Sequence, residues 1–151
     1  MAVPTRAVLL SMSTSFKDFN EGLIKDLRTN GGKATSGPFV GRDVLILTTK
    51  GAKSGEMREN PLAFSRDNGH YIVIASKGGA PTHPSWYHNL VANPTVIVEA
   101  FGQRLSATAR VAEGKEHDRL YGQMGDMSPA FHEYQKKTSR KIPVVILEPI
   151  R

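Results

Sequence analysis

The stretch from residue 70 to residue 94 constrains the fold most, because an apolar strand there runs through a basic glycine turn into a short helix. Residues 71–74 form a β-branched and aromatic run that is typical of a strand. The turn at residues 76–79 follows, with two consecutive glycines that allow close backbone approach and a lysine that adds positive charge. The helix predicted over residues 84–92 carries Trp86. This pattern predicts a site for an anion or a planar ring, although a plain strand-turn-helix connection with a solvated lysine has the same pattern.

Short turns join further strand patterns along the chain. Asn68-Gly69 is the strongest hairpin signal, so we expect residues 61–65 to pair antiparallel with residues 70–76. The complete set of predicted strands is 44–49, 61–65, 70–76, 95–101, 103–111 and 144–147. The predicted helices are 14–29, 84–92, 115–127 and one that starts at Ser128-Pro129. About six strands, mostly joined by hairpins, predict a single α+β domain over residues 1–151 with a closed or nearly closed antiparallel barrel and peripheral helices.

Several classes of function fit the sequence poorly. The chain has no cysteine, so disulfides, thiolate nucleophiles and cysteine-based zinc sites are excluded. The GxSxG and HExxH motifs are absent, and we expect His83 and His88 to project from different faces, so no metal site is predicted. No apolar stretch reaches the 18 or so residues of a membrane span, and the start has only a short apolar run, residues 7–10. We therefore expect a cytoplasmic protein.

Positive charge is concentrated in two loops. Twenty Lys and Arg against fourteen Asp and Glu give a net charge of +6, which favours an acidic ligand, nucleic acid or an anionic membrane surface. Lys50, Lys53 and Arg58 lie in one loop and Lys77 in the other, and the predicted hairpin pairing places both loops at one end of the barrel. With nearby hydroxyl and amide donors they predict an anion site, with a solvated turn as the alternative.

Nucleic acid is a poor fit for this charge. A barrel that binds single strands interleaves aromatic side chains with Lys and Arg on one exposed face. Here the strand aromatics Phe64, Tyr71 and Phe101 are isolated from one another. We therefore predict a small-molecule partner and no nucleic-acid partner.

Three spaced segments carry a family resemblance: LTTKGAKSGEMRENPLAF, YIVIASKGGAPTHPSWYHNLVANPTVIVE and KIPVVILEP. In these segments, and in the same order, the chain resembles the deazaflavin-dependent nitroreductase family, F420H2-dependent reductases built on a split β-barrel similar to FMN-binding barrels. The segment NEGLIKDLRTNGG also resembles the helix that precedes the barrel in that family. The resemblance implies an oxidoreductase that transfers a hydride from reduced coenzyme F420 to an electron-poor acceptor, which is a quinone, a conjugated enone or a nitro compound.

The resemblance also implies site residues. The acidic phosphate and oligoglutamate tail of F420 should contact Ala52, Lys53, Ser54, Arg58, Glu59 and Asn60. The ring should lie against Pro61, Leu62, Ala63, Ile74, Ala75, Ser76, Lys77, Ser85, Trp86, Tyr87, His88 and Asn89. The implied substrate pocket consists of Ser128, Phe131 and Tyr134, with Ser76 and Tyr134 as the candidate catalytic residues. Members that reduce nitro drugs carry tyrosines where this chain has Ser128 and Phe131, so quinones or enones are the expected acceptors.

The sequence leaves two alternative functions open. An FMN-binding split-barrel reductase is the closest, but FMN has one phosphate and no glutamate tail, so it needs less cationic charge than two basic loops supply. A carrier that binds F420 or flavin without turnover is the other. We expect a monomer or homodimer, with weak peripheral membrane contact through the apolar start and the basic helix if a lipid quinone is reduced.

Overall fold

The computed structural model describes residues 12–150, which form a curled seven-stranded antiparallel sheet with helices packed around it. The strands are β1 Val44–Lys50, β2 Met57–Ala63, β3 Ser65–Asp67, β4 His70–Ile74, β5 Thr95–Ala100, β6 Gln103–Val111 and β7 Val144–Pro149. The helices in this part of the chain are α1 Met12–Thr29, α2 Ser85–Ala92, α3 Gly114–Met127 and α4 Ala130–Lys136. The predicted membrane contact through residues 7–10 lies outside the described residues.

The order of the strands in the sheet is β2-β1-β5-β6-β7-β4-β3. The edge strands β2 and β3 are separated along the chain by Phe64 alone, so the sheet must curl until its two edges meet. The Phe64 amide donates a hydrogen bond to the carbonyl of Asp43 at 3.2 Å, which continues the β1–β2 pairing by one residue, and at Ser65, opposite Ile72, the chain begins to pair with β4. β2 pairs with neither β3 nor β4, so the barrel stays open between β2 and β4. The prediction of an α+β fold with a split antiparallel barrel is confirmed.

One predicted hairpin is wrong in its pairing. Residues 61–63 pair with β1, where Pro61 lies opposite Ile46, and only the three residues of β3 pair with β4. The Asn68-Gly69 turn forms as predicted, with φ of 51° and 78°. The hairpin that this turn closes is short, because the chain changes its pairing partner at Phe64 and only β3 pairs with β4. The segment treated as one strand is therefore two, which raises the count from six to seven.

Both basic loops lie at the same end of the barrel, but for a different reason. Each adjacent pair from β1 through β5, β6 and β7 to β4 is antiparallel, so β1 and β4 run in the same direction. Their carboxyl ends, Lys50 and Ile74, therefore lie at one end of the barrel. The sheet as a whole produces this placement, not a direct hairpin between the two segments.

The apolar core has layers inside and outside the barrel. Leu45 and Leu47 of β1 belong to the cluster inside it, whereas Val44 and Ile46 face outward under α1. The buried side of α1 is formed by Leu23, Ile24 and Leu27. A third cluster joins α3 to the outer faces of β4 and β7. Because both faces of β1 are covered, its first four residues are continuously apolar. Among residues 12–150, no helix has the length and apolarity needed to cross a membrane.

Candidate functional site

Two adjoining cavities lie at the barrel end where β1 and β4 finish. The first, here called the basic groove, has a volume of about 1120 Å³ and is enclosed by α1, residues 51–54, the start of β2 and α2. The second, the split pocket, has a volume of about 550 Å³ and opens between β2 and the end of β4, beneath α4. Asn20 and Asn60 line both cavities, so one elongated ligand could occupy them together.

The basic groove is lined by three exposed cations, Lys17, Lys53 and Arg58. Lys17 pairs at 4.0 Å with Glu21, which also lines the groove, and Arg58 pairs with the exposed Glu56 at 3.1 Å. Within the described part of the chain Lys53 makes no ion pair. Glu59 also lines the groove, but its carboxylate is bound by Arg28, which lowers its repulsion of an anion. The groove therefore favours an acidic ligand.

The loop at residues 51–54 is held by a buried amide side chain. The Ala52 amide donates to Oδ1 of Asn89 at 3.0 Å, and Nδ2 of Asn89 donates to Oγ1 of Thr49 at 3.2 Å. A Cβ on Gly51 would lie 2.5 Å from Oγ of Ser54 and 3.1 Å from the Glu56 carbonyl oxygen, so a larger residue at this bend would displace the Ser54 side chain. Asn89 thus connects α2 to the loop at residues 51–54 and fixes the backbone position next to Lys53.

The split pocket is mainly apolar, with a few polar groups. Pro61, Leu62 and Ala63 line the β2 side and Ile74 the β4 side. Trp86 of α2, only 5% exposed, lies at its base. Phe131 and Tyr134 of α4 cover it, their rings in edge contact with 5.3 Å between centroids. A planar ring would meet apolar surface on several sides here.

The turn after β4 has a constrained backbone. Lys77, Gly78 and Gly79 have φ of 47°, 64° and 83°, which for a lysine is an uncommon conformation. Arg140 stabilises it: Nε donates to the Ala80 carbonyl at 2.8 Å, and the two terminal nitrogens donate to the carbonyls of Ala75 and Ser76 at 3.2 and 2.7 Å. This turn places Ser76 and Lys77 at the split pocket.

The structure brings most of the predicted residues to these two cavities. All six residues predicted for the acidic tail line the basic groove: Ala52, Lys53, Ser54, Arg58, Glu59 and Asn60. Residues predicted for the ring or substrate that line the split pocket are Pro61, Leu62, Ala63, Ile74, Ser76, Lys77, Trp86, Ser128, Phe131 and Tyr134.

Five predicted ring contacts lie elsewhere. Ser85, His88 and Asn89 line the basic groove, because one side of α2 faces that cavity and Trp86 faces the other. Ala75 is fully buried in the barrel core. Tyr87 lines neither cavity and packs on the ring of His83, with 4.8 Å between centroids.

The two histidines near α2 are closer than expected. The ring centroids of His83 and His88 are 5.8 Å apart, because the chain turns at Pro84 and brings His83 back against the helix. Nη1 of Arg140 donates to Nδ1 of His83 at 2.8 Å, and burial together with this guanidinium lowers the pKa of His83. Among residues 12–150 no group of three or more His, Cys, Asp or Glu side chains could hold a metal ion.

Sequence reasoning missed several residues of the site. Asn20, Phe39 and Arg42 line the split pocket although α1 and residues 32–43 were assigned no part in it. Arg140 was missed as well. Phe39, Arg42 and Arg140 lie outside every quoted motif, and Asn20 begins the segment NEGLIKDLRTNGG, which predicts only the helix before the barrel. Only the proximity of Arg140 to the segment KIPVVILEP offered a signal, because that segment pairs with β4 and leads back to the same turn.

Comparison with known proteins agrees with this geometry. The family model for F420H(2)-dependent quinone reductases matches residues 23–149. An F420H(2)-dependent quinone reductase of Mycobacterium tuberculosis is 40% identical over 108 residues, which are 68% of this chain and 71% of that protein. A solved F420-H2 dependent reductase is 47% identical with a TM-score of 0.65, covering 70% of this chain and 93% of that one. Another solved structure, a domain-swapped dimer, is 37% identical with a TM-score of 0.67, covering 97% and 100%.

The family model extends over all seven strands, over α2, α3 and α4, and over the last part of α1. These matches confirm the predicted family, the predicted enzyme class and the predicted cofactor. The chain belongs to the F420H(2)-dependent quinone reductase family, and is accordingly an F420H2-dependent reductase with coenzyme F420 as its cofactor.

Proposed function

We propose that this protein transfers a hydride from reduced F420 to a quinone. The observation that carries the proposal is the continuity of the two cavities at Asn20 and Asn60. One ligand with an acidic tail and a planar ring could place its tail among the cations of the basic groove and its ring in the split pocket. FMN, which has no such tail, would leave Lys53 without an acidic partner.

The side chains of the groove fit an acidic tail. Lys53 and Arg58 offer charge-assisted hydrogen bonds, which are stronger than neutral ones. Lys17 of α1 adds a third cation on the opposite wall, and the Ser85 hydroxyl at the start of α2 adds a neutral donor. Because these groups are exposed, their attraction for a polyanion should weaken as salt increases.

The split pocket would orient the ring and exclude water. F420 supplies the hydride when bound, and the protein supplies position. Trp86, Pro61 and Ile74 provide apolar contact surfaces, while α4 covers the side from which an acceptor would approach. The hydroxyl of Ser76 makes no hydrogen bond within the described part of the chain and lines the pocket, so it can donate to the ring or the acceptor. Holding both reactants here lowers the entropic part of the barrier.

A quinone is the acceptor that the observations favour. The matched family and the curated relatives are named for quinone reduction. Ser128 and Phe131 line the pocket at the positions where the sequence departs from nitro-drug-reducing members. Phe131 offers an apolar face to a flat quinone ring and no hydroxyl for a nitro group. We therefore expect turnover to decrease from a naphthoquinone to an enone to a nitroimidazole.

Cofactor choice is tested by fluorescence titration of the apo-protein with F420 and, separately, with FMN, at low and high salt. F420 should bind more tightly and with the stronger salt dependence. Lys53→Ala with Arg58→Ala should weaken F420 binding at least about tenfold and reduce its salt dependence, since two charge-assisted contacts are lost.

The matched control is Lys33→Ala with Lys115→Ala, which removes the same charge from exposed positions outside both cavities. Its F420 affinity should change less than about twofold. Tighter binding of FMN than of F420, or equal losses in both double variants, would contradict the proposal. Binding of F420 without oxidation of F420H2 by menadione would instead identify a carrier.

A further inference from the structure

Arg42 is a cation at the split pocket that none of the sequence motifs includes. It lies two residues before β1 and lines the pocket together with Ser128 and Tyr134. Its Nη1 donates to Oγ of Ser128 at 3.0 Å, and within residues 12–150 its guanidinium makes no ion pair with a carboxylate. A guanidinium has five N–H donors, so most of those on Arg42 remain available to a ligand.

Ser128 completes a pair of donors with Arg42. Its side chain is 9% exposed, and its amide donates to the Met124 carbonyl at the end of α3. Because Oγ accepts from Arg42, the hydroxyl proton of Ser128 must find a different acceptor. The described residues supply none, and the pocket is the space that Ser128 lines. An oxygen atom of a bound acceptor would satisfy both groups.

We propose that Arg42, with Ser128, binds the carbonyl oxygen of the acceptor on which negative charge develops during reduction. This rests on the proposed function. When a hydride forms a C–H bond at a ring carbon conjugated to a quinone carbonyl, the π electrons shift and an electron pair comes to rest on that oxygen. A proton from water then neutralises it, and transfer of the ring proton through water to the second carbonyl oxygen gives the aromatic quinol.

The position of Arg42 suits that charge. A donor placed where charge develops lowers the barrier because its stabilisation is greater in the transition state than in the ground state. Arg42 is exposed in the structure without an acceptor, so a bound ring would shield it from water and strengthen the contact. The site therefore selects acceptors whose reacting carbon is conjugated to a carbonyl, which are quinones and enones.

The test compares Arg42→Met and Arg42→Lys with Lys33→Met, which removes the same charge from an exposed position in the nearby loop. With menadione, kcat/KM should fall about 10- to 100-fold in Arg42→Met, as expected for one lost charge-assisted hydrogen bond. Arg42→Lys should recover at least part of that loss, since it keeps the charge. F420 affinity should stay within about twofold in Lys33→Met. It is measured for both Arg42 variants as well, since Arg42 lines the split pocket, and kcat/KM for menadione is compared at saturating F420H2.

A second measurement requires no turnover. Deprotonated 2-hydroxy-1,4-naphthoquinone carries its negative charge on conjugated oxygens, and its binding to the protein saturated with oxidised F420 can be followed by absorbance. Arg42→Met should weaken this binding about tenfold and Lys33→Met should leave it unchanged. If the wild type binds F420 and reduces menadione, but Arg42→Met and Lys33→Met behave alike in both measurements, the proposed role of Arg42 is contradicted and the proposed function is not. A wild type that does neither overturns the proposed function as well.

Discussion

Arg140 shows how one side chain can hold a functional turn. Its guanidinium satisfies three carbonyls of residues 75–80 and one nitrogen of His83, and within the described chain it contacts no carboxylate. The cation therefore stabilises a local backbone conformation, the left-handed run of residues 77–79, instead of an ion pair. Because Ser76 precedes that run, the position of its hydroxyl depends on Arg140.

Arg140→Met should destabilise the protein by about 3 kcal/mol, because several partly buried acceptors lose their donor at once. Arg140→Lys should cost less, yet its single ammonium cannot reproduce the planar fork. Urea unfolding measures both. Lys141→Met, at the exposed neighbouring position, serves as the control and should stay within about 0.5 kcal/mol of wild type. If Arg140→Met had the same free energy of unfolding as this control, the turn would be stable without the hydrogen bonds from Arg140.

The residues that sequence reasoning missed share a physical cause. Arg42 and Arg140 act on groups 86 and 64 positions away in the chain, Ser128 and the Ser76 carbonyl. Such contacts depend on where the sheet places distant loops, and no local period or spacing encodes them. The groove residues Lys53 and Arg58 were accessible from sequence because charge and glycine content gather in one short loop.

At the scale of elements, α1 connects the barrel core to the basic groove. Its apolar side packs Leu23, Ile24 and Leu27 on the outward face of β1, while Lys17 and Asn20 reach the cavities. The position of one wall of the groove therefore depends on a small apolar cluster. Arg28, bound to Glu59 and Glu99, fixes the last turn of the helix to β2 and β5.

Leu27→Ala should lower the free energy of unfolding by about 2 to 5 kcal/mol, since Leu27 is 2% exposed and its loss leaves a cavity. We also expect weaker F420 binding, because α1 would pack less firmly beside the groove. Val91→Ala removes part of a side chain that is 55% exposed on α2 and should change stability by less than about 0.5 kcal/mol. If Leu27→Ala were clearly destabilised but bound F420 with unchanged affinity, the packing of α1 would not determine F420 binding.

Strands and helices with a clear local sequence pattern could be predicted from the sequence. The strands they pair with could be predicted only in part. Gln103–Val111 alternates buried and exposed positions, and its hairpin with β5 formed as predicted. The β2 and β3 segments were merged because nothing in the sequence marks a change of partner at Phe64. That change depends on closure of the whole sheet, which places Ser65 opposite Ile72 of β4.

At the scale of the molecule, ion pairs attach the helices to the barrel. Arg119 of α3 binds Asp67 of β3, and Arg110 of β6 binds Glu116 of α3. Arg28 joins α1 to Glu99 of β5. In each case a hydrogen-bonded arginine lowers the pKa of the carboxyl group below its ordinary value. These contacts connect elements that are far apart in sequence, so their loss should affect global stability.

Acid should therefore unfold the protein in part through these carboxylates. A carboxyl whose pKa is lowered by folding stabilises the protein fully above its ordinary pKa, 4.5 for Glu99, and loses that contribution as pH falls through the folded-state value. Glu99→Gln mimics the protonated state, so it should be less stable than wild type at pH 6 and begin to converge with it as pH falls below 4.5. Urea unfolding at several pH values measures the convergence.

The control is Glu133→Gln, which removes an exposed carboxylate that pairs with Lys136 on α4. Its free energy of unfolding should differ from that of wild type by a nearly constant amount. Parallel wild-type and Glu99→Gln curves would show that the contact between Arg28 and Glu99 contributes nothing to acid stability.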